Sequence, residues 1–275
     1  MTSSRNLLES LPAAWEILSQ RPAGLMTDVD GTLSPIVEQP EMAELHPEIP
    51  DLLRRLRSRL NLVAAISGRP VSQLVRMVGV DGIVYVGNHG LELGQGNKST
   101  VAPEAEPFLP AIASTIDSIQ KQIKLPGITV ENKGASGTIH YRAALDPEEA
   151  REAILKLLAD IPAARGLQLS EGRRVVNVLP PVEISKGTAV LRLVREKMLV
   201  GTIYLGDDVT DLDAFRALNA LNRRAGHKKL LVAVLSPEVP LPLVEEADYH
   251  LENVAAVATF LREAAAFLER SGNRC

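Results

Sequence analysis

Short apolar runs that stop at polar, glycine-containing turns and give way to helix-spaced segments constrain this chain most. Residues 24–27, 62–66, 83–86 and 200–205 are such runs. Continuous apolar stretches of this length read as strands buried on both faces. Between them, residues 49–60 place Leu52, Leu53, Leu56 and Leu60 at helical spacing, and residues 71–78 read as a second helix. Strand, helix, strand, helix in this order predicts a doubly wound α/β core: a parallel sheet with helices on its faces.

The pattern breaks after Leu93. Residues 94–100 read as a polar, Gly-rich connector, 105–123 as a helix, and 128–133 with 138–142 as antiparallel neighbours. Asp146 and Pro147 suit the cap and first position of a helix running to Leu158. Residues 167–171 and 174–179 form a hairpin across Gly172. The block 98–182 is therefore expected to be an inserted α+β domain, with residues 1–97 and 183–275 forming the core. The first pattern resumes with a helix over 187–198, the strand 200–205, a helix over 212–221, a strand over 230–235 and a closing helix over 255–270.

Composition narrows the partners. A net charge of -4 gives no general attraction to nucleic acid or anionic membrane, so neither is expected as a partner. Aromatics at 3% argue against base-stacking surfaces. The sole cysteine is Cys275, so no intrachain disulfide is expected. There is no signal-peptide pattern, and no apolar run approaches the ~20 residues of a membrane span. A cytoplasmic location is the expectation.

Several polar motifs follow an apolar strand or open a helix, where open α/β sheets bind ligands. Asp28-Val-Asp30-Gly31-Thr32 offers a carboxylate nucleophile and a neighbouring acid/base, with Gly31 permitting a sharp turn. Ser67 follows the next strand, with Arg69 close by, and can hold a phosphate oxygen. Lys186 opens a helix, where its charge opposes the helix dipole unless an anion sits beside it. Asp207, Asp208 and Asp211 crowd after the strand 200–205, a repulsion that a hard cation would relieve. Asp207 is the choice for direct coordination; Asp211 reaches through water or orients Lys186, with Asp208 a second candidate. Each motif alone has an ordinary reading: a polar turn, a solvated lysine, a helix cap.

Taken in order, these residues resemble the motifs of the haloacid dehalogenase (HAD) superfamily of phosphohydrolases. Residues 87–92 (Gly-Asn-His-Gly-Leu-Glu), 130–133, 140–142 and 206–215 are similar to trehalose-6-phosphate phosphatases. The resemblance implies a HAD-like core with an inserted α+β cap of the C2 type. It implies Asp28 as nucleophile, Asp30 as acid/base, and Ser67 and Lys186 as phosphate ligands. Magnesium would be held by Asp28, Asp30 (through its carbonyl), Asp207 and Asp211. Gly68, Arg69, His89 and Gly90 join the substrate-binding set, and Glu131, Lys133, His140 and Arg142 would face the sugar. The implied substrate is trehalose 6-phosphate, and the implied pathway partner a trehalose-phosphate synthase.

The sequence departs from the family where a cap-strand glutamate is common: Asn177 and Leu179 stand in Arg174-Val-Val-Asn-Val-Leu-Pro180. Asn177 supplies fewer acceptors and no charge. The same chemistry on mannosyl- or glucosyl-phosphoglycerate or sucrose phosphate stays open. So does a phospho-accepting signalling domain, although the inserted block and the Asp30-Gly-Thr continuation argue against it.

Overall fold

The computed structural model describes residues 4–37, 40–96, 98–172 and 174–272; Cys275 lies outside them. In chain order the elements begin β1 (Arg5–Asn6), α1 (Leu11–Leu18), β2 (Ala23–Thr27), α2 (Ile49–Arg57), β3 (Leu62–Ile66) and α3 (Val71–Val78). β4 (Val84–Gly87), β5 (Glu92–Gln95), β6 (Lys98–Val101), α4 (Leu109–Gln122), β7 (Thr129–Asn132) and β8 (Gly137–His140) follow. Next come α5 (Pro147–Asp160), β9 (Gln168–Gly172), β10 (Val175–Leu179), α6 (Lys186–Glu196) and β11 (Gly201–Gly206). The chain closes with α7 (Asp211–Ala225), β12 (Lys228–Val234), α8 (Leu241–Glu246), β13 (Tyr249–Leu251) and α9 (Val254–Gly272). Two compact units result: Met1–Ser99 with Ile184–Cys275, and Thr100–Glu183.

The first unit is built on a nine-stranded sheet ordered β1-β13-β12-β11-β2-β3-β4-β5-β6. From β1 to β4 every neighbouring pair is parallel. Alternation along each strand feeds two cores. Leu25, Val63 and Leu205 pack with α1, α2 and α9, whereas Met26, Ala64 and Tyr204 pack with α6 and α7. This explains the continuous apolar runs: both faces are covered. From β2 the order runs through β3 to β4, and from β11 through β12 to β13 in the opposite direction. The reversal between β2 and β11 opens a crevice at their carboxyl ends.

Features of this unit differ from the sequence expectation, among them the following. The stretch 94–100 is not a plain connector: β5 pairs antiparallel with β4, and β6 lies beside β5. Gly94 is in this strand because its backbone approaches Val71 too closely for a side chain. A helix also precedes β2. In it Ala14, Ile17 and Leu18 are buried, and Trp15 stacks on Phe267 with ring centroids 4.6 Å apart.

The second unit is an antiparallel sheet ordered β7-β8-β10-β9 with α4 and α5. Its core holds Ile112, Ile116 and Ile119 from α4, Ile154 and Leu158 from α5, and Ile139 and Val176 from the sheet. Asp146 caps α5 by accepting from the Glu148 and Glu149 amides. Among the described residues no helix is long and apolar enough to cross a membrane.

Candidate active site

Asp28 follows β2 and Asp207 follows β11, so adjacent strands deliver both acids to the reversal point. The Asp28 amide donates to the Leu205 carbonyl at 2.8 Å, which extends the pairing of these strands to the acid itself. Gly31 turns the chain with φ 86°, and a Cβ there would collide with the Asp207 carboxylate. Only glycine lets this loop pass so close to the acid. Thr32 Oγ1 donates to Asp207 Oδ1 at 3.2 Å.

Lys186 is the first residue of α6, and Ser185 caps that helix through a capping box with Thr188. The lysine is 2% exposed, and its Nζ donates to Asp28 Oδ1 at 2.6 Å and Asp211 Oδ1 at 2.7 Å. The anions that make a lysine tolerable in a first helical turn are thus carboxylates of the chain itself. Asp211 accepts four hydrogen bonds: from Lys186, from the Tyr204 hydroxyl at 2.7 Å, and from the Asp207 and Asp208 amides. Its oxygens are committed to holding Lys186 and the turn. Asp208 is exposed, and its Oδ1 accepts from the Val209 amide.

Electrostatics single out the same group. Burial pushes the Asp28 carboxyl well above its ordinary range, Lys186 opposes the shift, and Asp211 and Asp207 add to it. Burial, then Asp211, push Asp207 up to about 7. On Lys186 the burial penalty is outweighed by Asp211 and Asp28, which hold the ammonium charged. Asp28, Asp207 and Asp211 each bring a carboxylate oxygen within 4.8 Å of the others. Buried, hard oxygens with surplus negative charge are a donor set that suits a divalent cation.

The remaining motif residues of this unit form a second cluster. Arg69 grips Asp30 through Nε, at 3.0 Å to Oδ1 and 2.8 Å to Oδ2, and through Nη2 at 2.7 Å to Oδ1. Ser67 Oγ donates to Asp30 Oδ2 at 3.3 Å and accepts from the Arg69 amide at 3.1 Å. The Asp30 carboxylate is therefore turned to Arg69 and is not among the grouped acid oxygens. Gly68 lies against the His89 ring, and Gly90 against the Ser185 carbonyl.

In the second unit the register aligns Glu131 with Thr138 and Thr138 with Asn177. His140 is two residues from Thr138, so Glu131, His140 and Asn177 share one face, opposite Ile139 and Val176. Glu131 Oε2 lies 3.3 Å from His140 Nε2 and 3.7 Å from Lys133 Nζ. Asn177 Oδ1 accepts from Thr138 Oγ1 at 2.9 Å. Arg142 is exposed in the turn beyond β8, off the strand rows.

Sequence reasoning assigned no role to Tyr204, Thr32 or Glu92. Tyr204 had one available signal, a phenol in a strand otherwise built of aliphatic residues, glycine and one threonine that ends at an acid cluster.

Known proteins resemble this chain in sequence and in fold. The family model described as trehalose-phosphatase matches residues 26–240. A trehalose-phosphate phosphatase of Mycobacterium tuberculosis is 34% identical over 227 residues, covering 78% of this chain and 56% of the relative. Trehalose-phosphate phosphatase B of Arabidopsis thaliana is 30% identical over 257 residues, covering 86% of this chain and 64% of the relative. The chain thus spans a little over half the length of the mycobacterial relative. The solved C-terminal domain of the C. albicans trehalose-6-phosphate phosphatase superposes with a TM-score of 0.76 at 25% identity, covering 97% of this chain and 99% of that one. A solved trehalose-6-phosphate phosphatase related protein shares the fold, with a TM-score of 0.75 at 20% identity over 90% of this chain and 99% of that one. The family match runs from the strand that carries Asp28 to beyond the acid cluster, and with it the chain belongs to the trehalose-phosphatase family.

Proposed function

We propose that this chain is a magnesium-dependent phosphatase that hydrolyses trehalose 6-phosphate to trehalose and phosphate. The observation that carries the reading is the buried Asp28 carboxylate, held by Lys186 at 2.6 Å and flanked by Asp207. Such a group is oriented, desolvated and poised to attack. Family membership supports the substrate.

Asp28, Asp207 and the Asp30 carbonyl would hold the magnesium, with Asp211 acting through Lys186 and the turn. When bound, the cation offsets the repulsion between the Asp28 carboxylate and an incoming phosphate. With Oδ1 engaged by Lys186, Asp28 Oδ2 attacks phosphorus, and the bond from phosphorus to the sugar oxygen breaks. Lys186 and Ser67 stabilise the phosphoryl oxygens. Asp30 gives its proton to the leaving sugar oxygen. It then takes a proton from the water that attacks phosphorus and releases phosphate from Asp28. Asp30 has both oxygens on Arg69, so it must leave that guanidinium to reach the sugar oxygen. His89 and Gly90 would line the approach.

The polar face of the second unit would read the disaccharide through Glu131, Lys133, His140, Arg142 and Asn177. The substrate would come from a trehalose-phosphate synthase, in the cytoplasm. One observation favours a second reading, another glycoside phosphate. The Asn177 amide oxygen is committed to Thr138, which leaves a donor where an acceptor for sugar hydroxyls would help. Phosphate release across a sugar-phosphate panel, with and without magnesium, tests both readings. Trehalose 6-phosphate is expected to give the highest kcat/KM, and magnesium removal to abolish turnover. Preference for sucrose phosphate or a glycosyl-phosphoglycerate would favour the second reading. A long-lived phosphorylated chain without turnover would exclude a phosphatase.

A further inference from the structure

Residues 88–90 adopt an unusual backbone. Asn88, His89 and Gly90 have φ of 49°, 56° and 115°, so three successive residues are left-handed. For the two that carry side chains this backbone is disfavoured, and it persists only where the surroundings over-determine it. The loop is tied to the segment that follows β3: the Asn88 amide donates to the Arg69 carbonyl at 2.9 Å and the His89 amide to the Ser67 carbonyl at 3.1 Å. On its other side Gly90 meets the Ser185 carbonyl, one residue before Lys186. Strain is concentrated in a joint between Ser67 and the start of α6.

One buried carboxylate holds that joint. Glu92 is 7% exposed and sits on β5 directly across from Gly87. Its Oε1 accepts from Asn88 Nδ2 at 2.6 Å, and its Oε2 accepts from the Val71 amide at 2.8 Å. Val71 opens α3, whose N-cap, Pro70, supplies no side-chain cap. Glu92 therefore supplies the negative charge and acceptor that this helix start lacks, and the same carboxylate fixes the left-handed loop.

We infer that Glu92 is a positioning residue: it clamps the Ser67–Pro70 segment and the Asn88–Gly90 loop into one unit, and so sets the phosphate ligand Ser67 against Asp30. Only a carboxylate serves both donors. A glutamine of the same shape would turn an N–H donor toward one of them. Its part in turnover rests on the phosphatase reading above; its part as a clamp does not.

The experiment compares wild type, Glu92→Gln, Ser67→Ala and the double variant. It reads amide hydrogen exchange over residues 67–71 and 86–92, together with kcat and KM for phosphate release with magnesium. Glu92→Gln is expected to speed exchange in both segments together, while β11 stays protected. It is expected to lower kcat about tenfold with a smaller change in KM, as misplacement of a reacting-group ligand does. In the Ser67→Ala background the further loss should be under about twofold, because Glu92 acts through Ser67. Unchanged exchange in either segment, or the same loss in both backgrounds, overturns the inference. If wild type turns over no substrate, the phosphatase reading fails, and exchange alone decides the clamp: faster in both segments upholds it, unchanged refutes it. If Glu92→Gln does not fold, Asn88→Gly provides the same readouts. Glycine keeps the left-handed backbone and removes one of the Glu92 contacts.

Discussion

Two regions of this molecule pair acids with bases, and they do so under opposite conditions. In the first unit Lys186, Asp28 and Asp211 have side chains 2%, 5% and 0% exposed and touch at 2.6 and 2.7 Å. In the second, Lys133 and His140 approach Glu131 at 3.7 and 3.3 Å, with exposures of 14%, 29% and 29%. A buried pair is fixed, since removing one partner strands a desolvated charge; a partly exposed pair is better screened and rearranges at lower cost. Chemistry on phosphorus needs the first kind of site. On the proposed reading, recognition of sugar hydroxyls tolerates the second.

The comparison breaks most visibly at the nucleophile. Asp28→Asn is expected to reduce phosphate release by at least about a thousandfold, because on the proposed reading Asp28 forms the covalent intermediate. Thermal melting should show the variant folded. Substantial turnover in this variant would remove Asp28 from the nucleophile role. Next is Lys186→Met, which leaves Asp28 and Asp211 facing one another without a cation. Denaturant melts of the ion-free protein should show a loss of about 3–5 kcal/mol. Lys133→Met in the second unit should cost under about 1 kcal/mol. Equal losses would erase the distinction between the regions.

A smaller effect comes from pH. Asp207 has an ordinary value of 3.8 and is raised to about 7 in the folded chain. A carboxyl raised on folding binds its proton more tightly when folded. Its contribution to stability is full below 3.8 and is lost as pH rises through about 7. The ion-free chain should thus lose melting temperature between about pH 4 and 7 relative to Asp207→Asn, which cannot ionise there. If magnesium binds Asp207 as proposed, it must displace that proton, so its stabilising effect should be larger at pH 8 than at pH 6. A magnesium shift independent of pH would separate Asp207 from the cation.

The same contrast governs how much could be read from sequence. β3 and α3 were legible to the residue, since an apolar run between turns and a helical stripe are local patterns. α1 was not: it is buried against β11 and β12 as well as α9, and Trp15 stacks on Phe267, far along the chain. β1 and β13 are two and three residues long and exist through their pairing, Arg5 with Tyr249, so they carry no periodicity of their own. At the site, Asp28, Lys186 and Asp207 were legible because strand ends and helix starts announce themselves. The division of labour between Asp208 and Asp211 was not. It is decided by the donors that surround Asp211, of which Tyr204 reads in sequence as ordinary core.

The smallest expected effect tests the permissive region on its own terms. Thr138 is 3% exposed and aligned between Glu131 and Asn177. Its hydroxyl donates to Asn177 Oδ1 and so directs the amide nitrogen the other way. Thr138→Val keeps the shape and removes the donor. The lost hydrogen bond should cost about 1 kcal/mol of stability. The freed amide can then turn, offering its oxygen where its nitrogen had been. If Asn177 recognises the sugar as a donor, KM for trehalose 6-phosphate should rise about threefold with kcat unchanged, the signature of binding lost equally from ground and transition states. A fall in KM would mean that the sugar needs an acceptor there, as the family glutamate would supply. An unchanged KM would remove Asn177 from the recognition face and leave Glu131 and His140 to carry it.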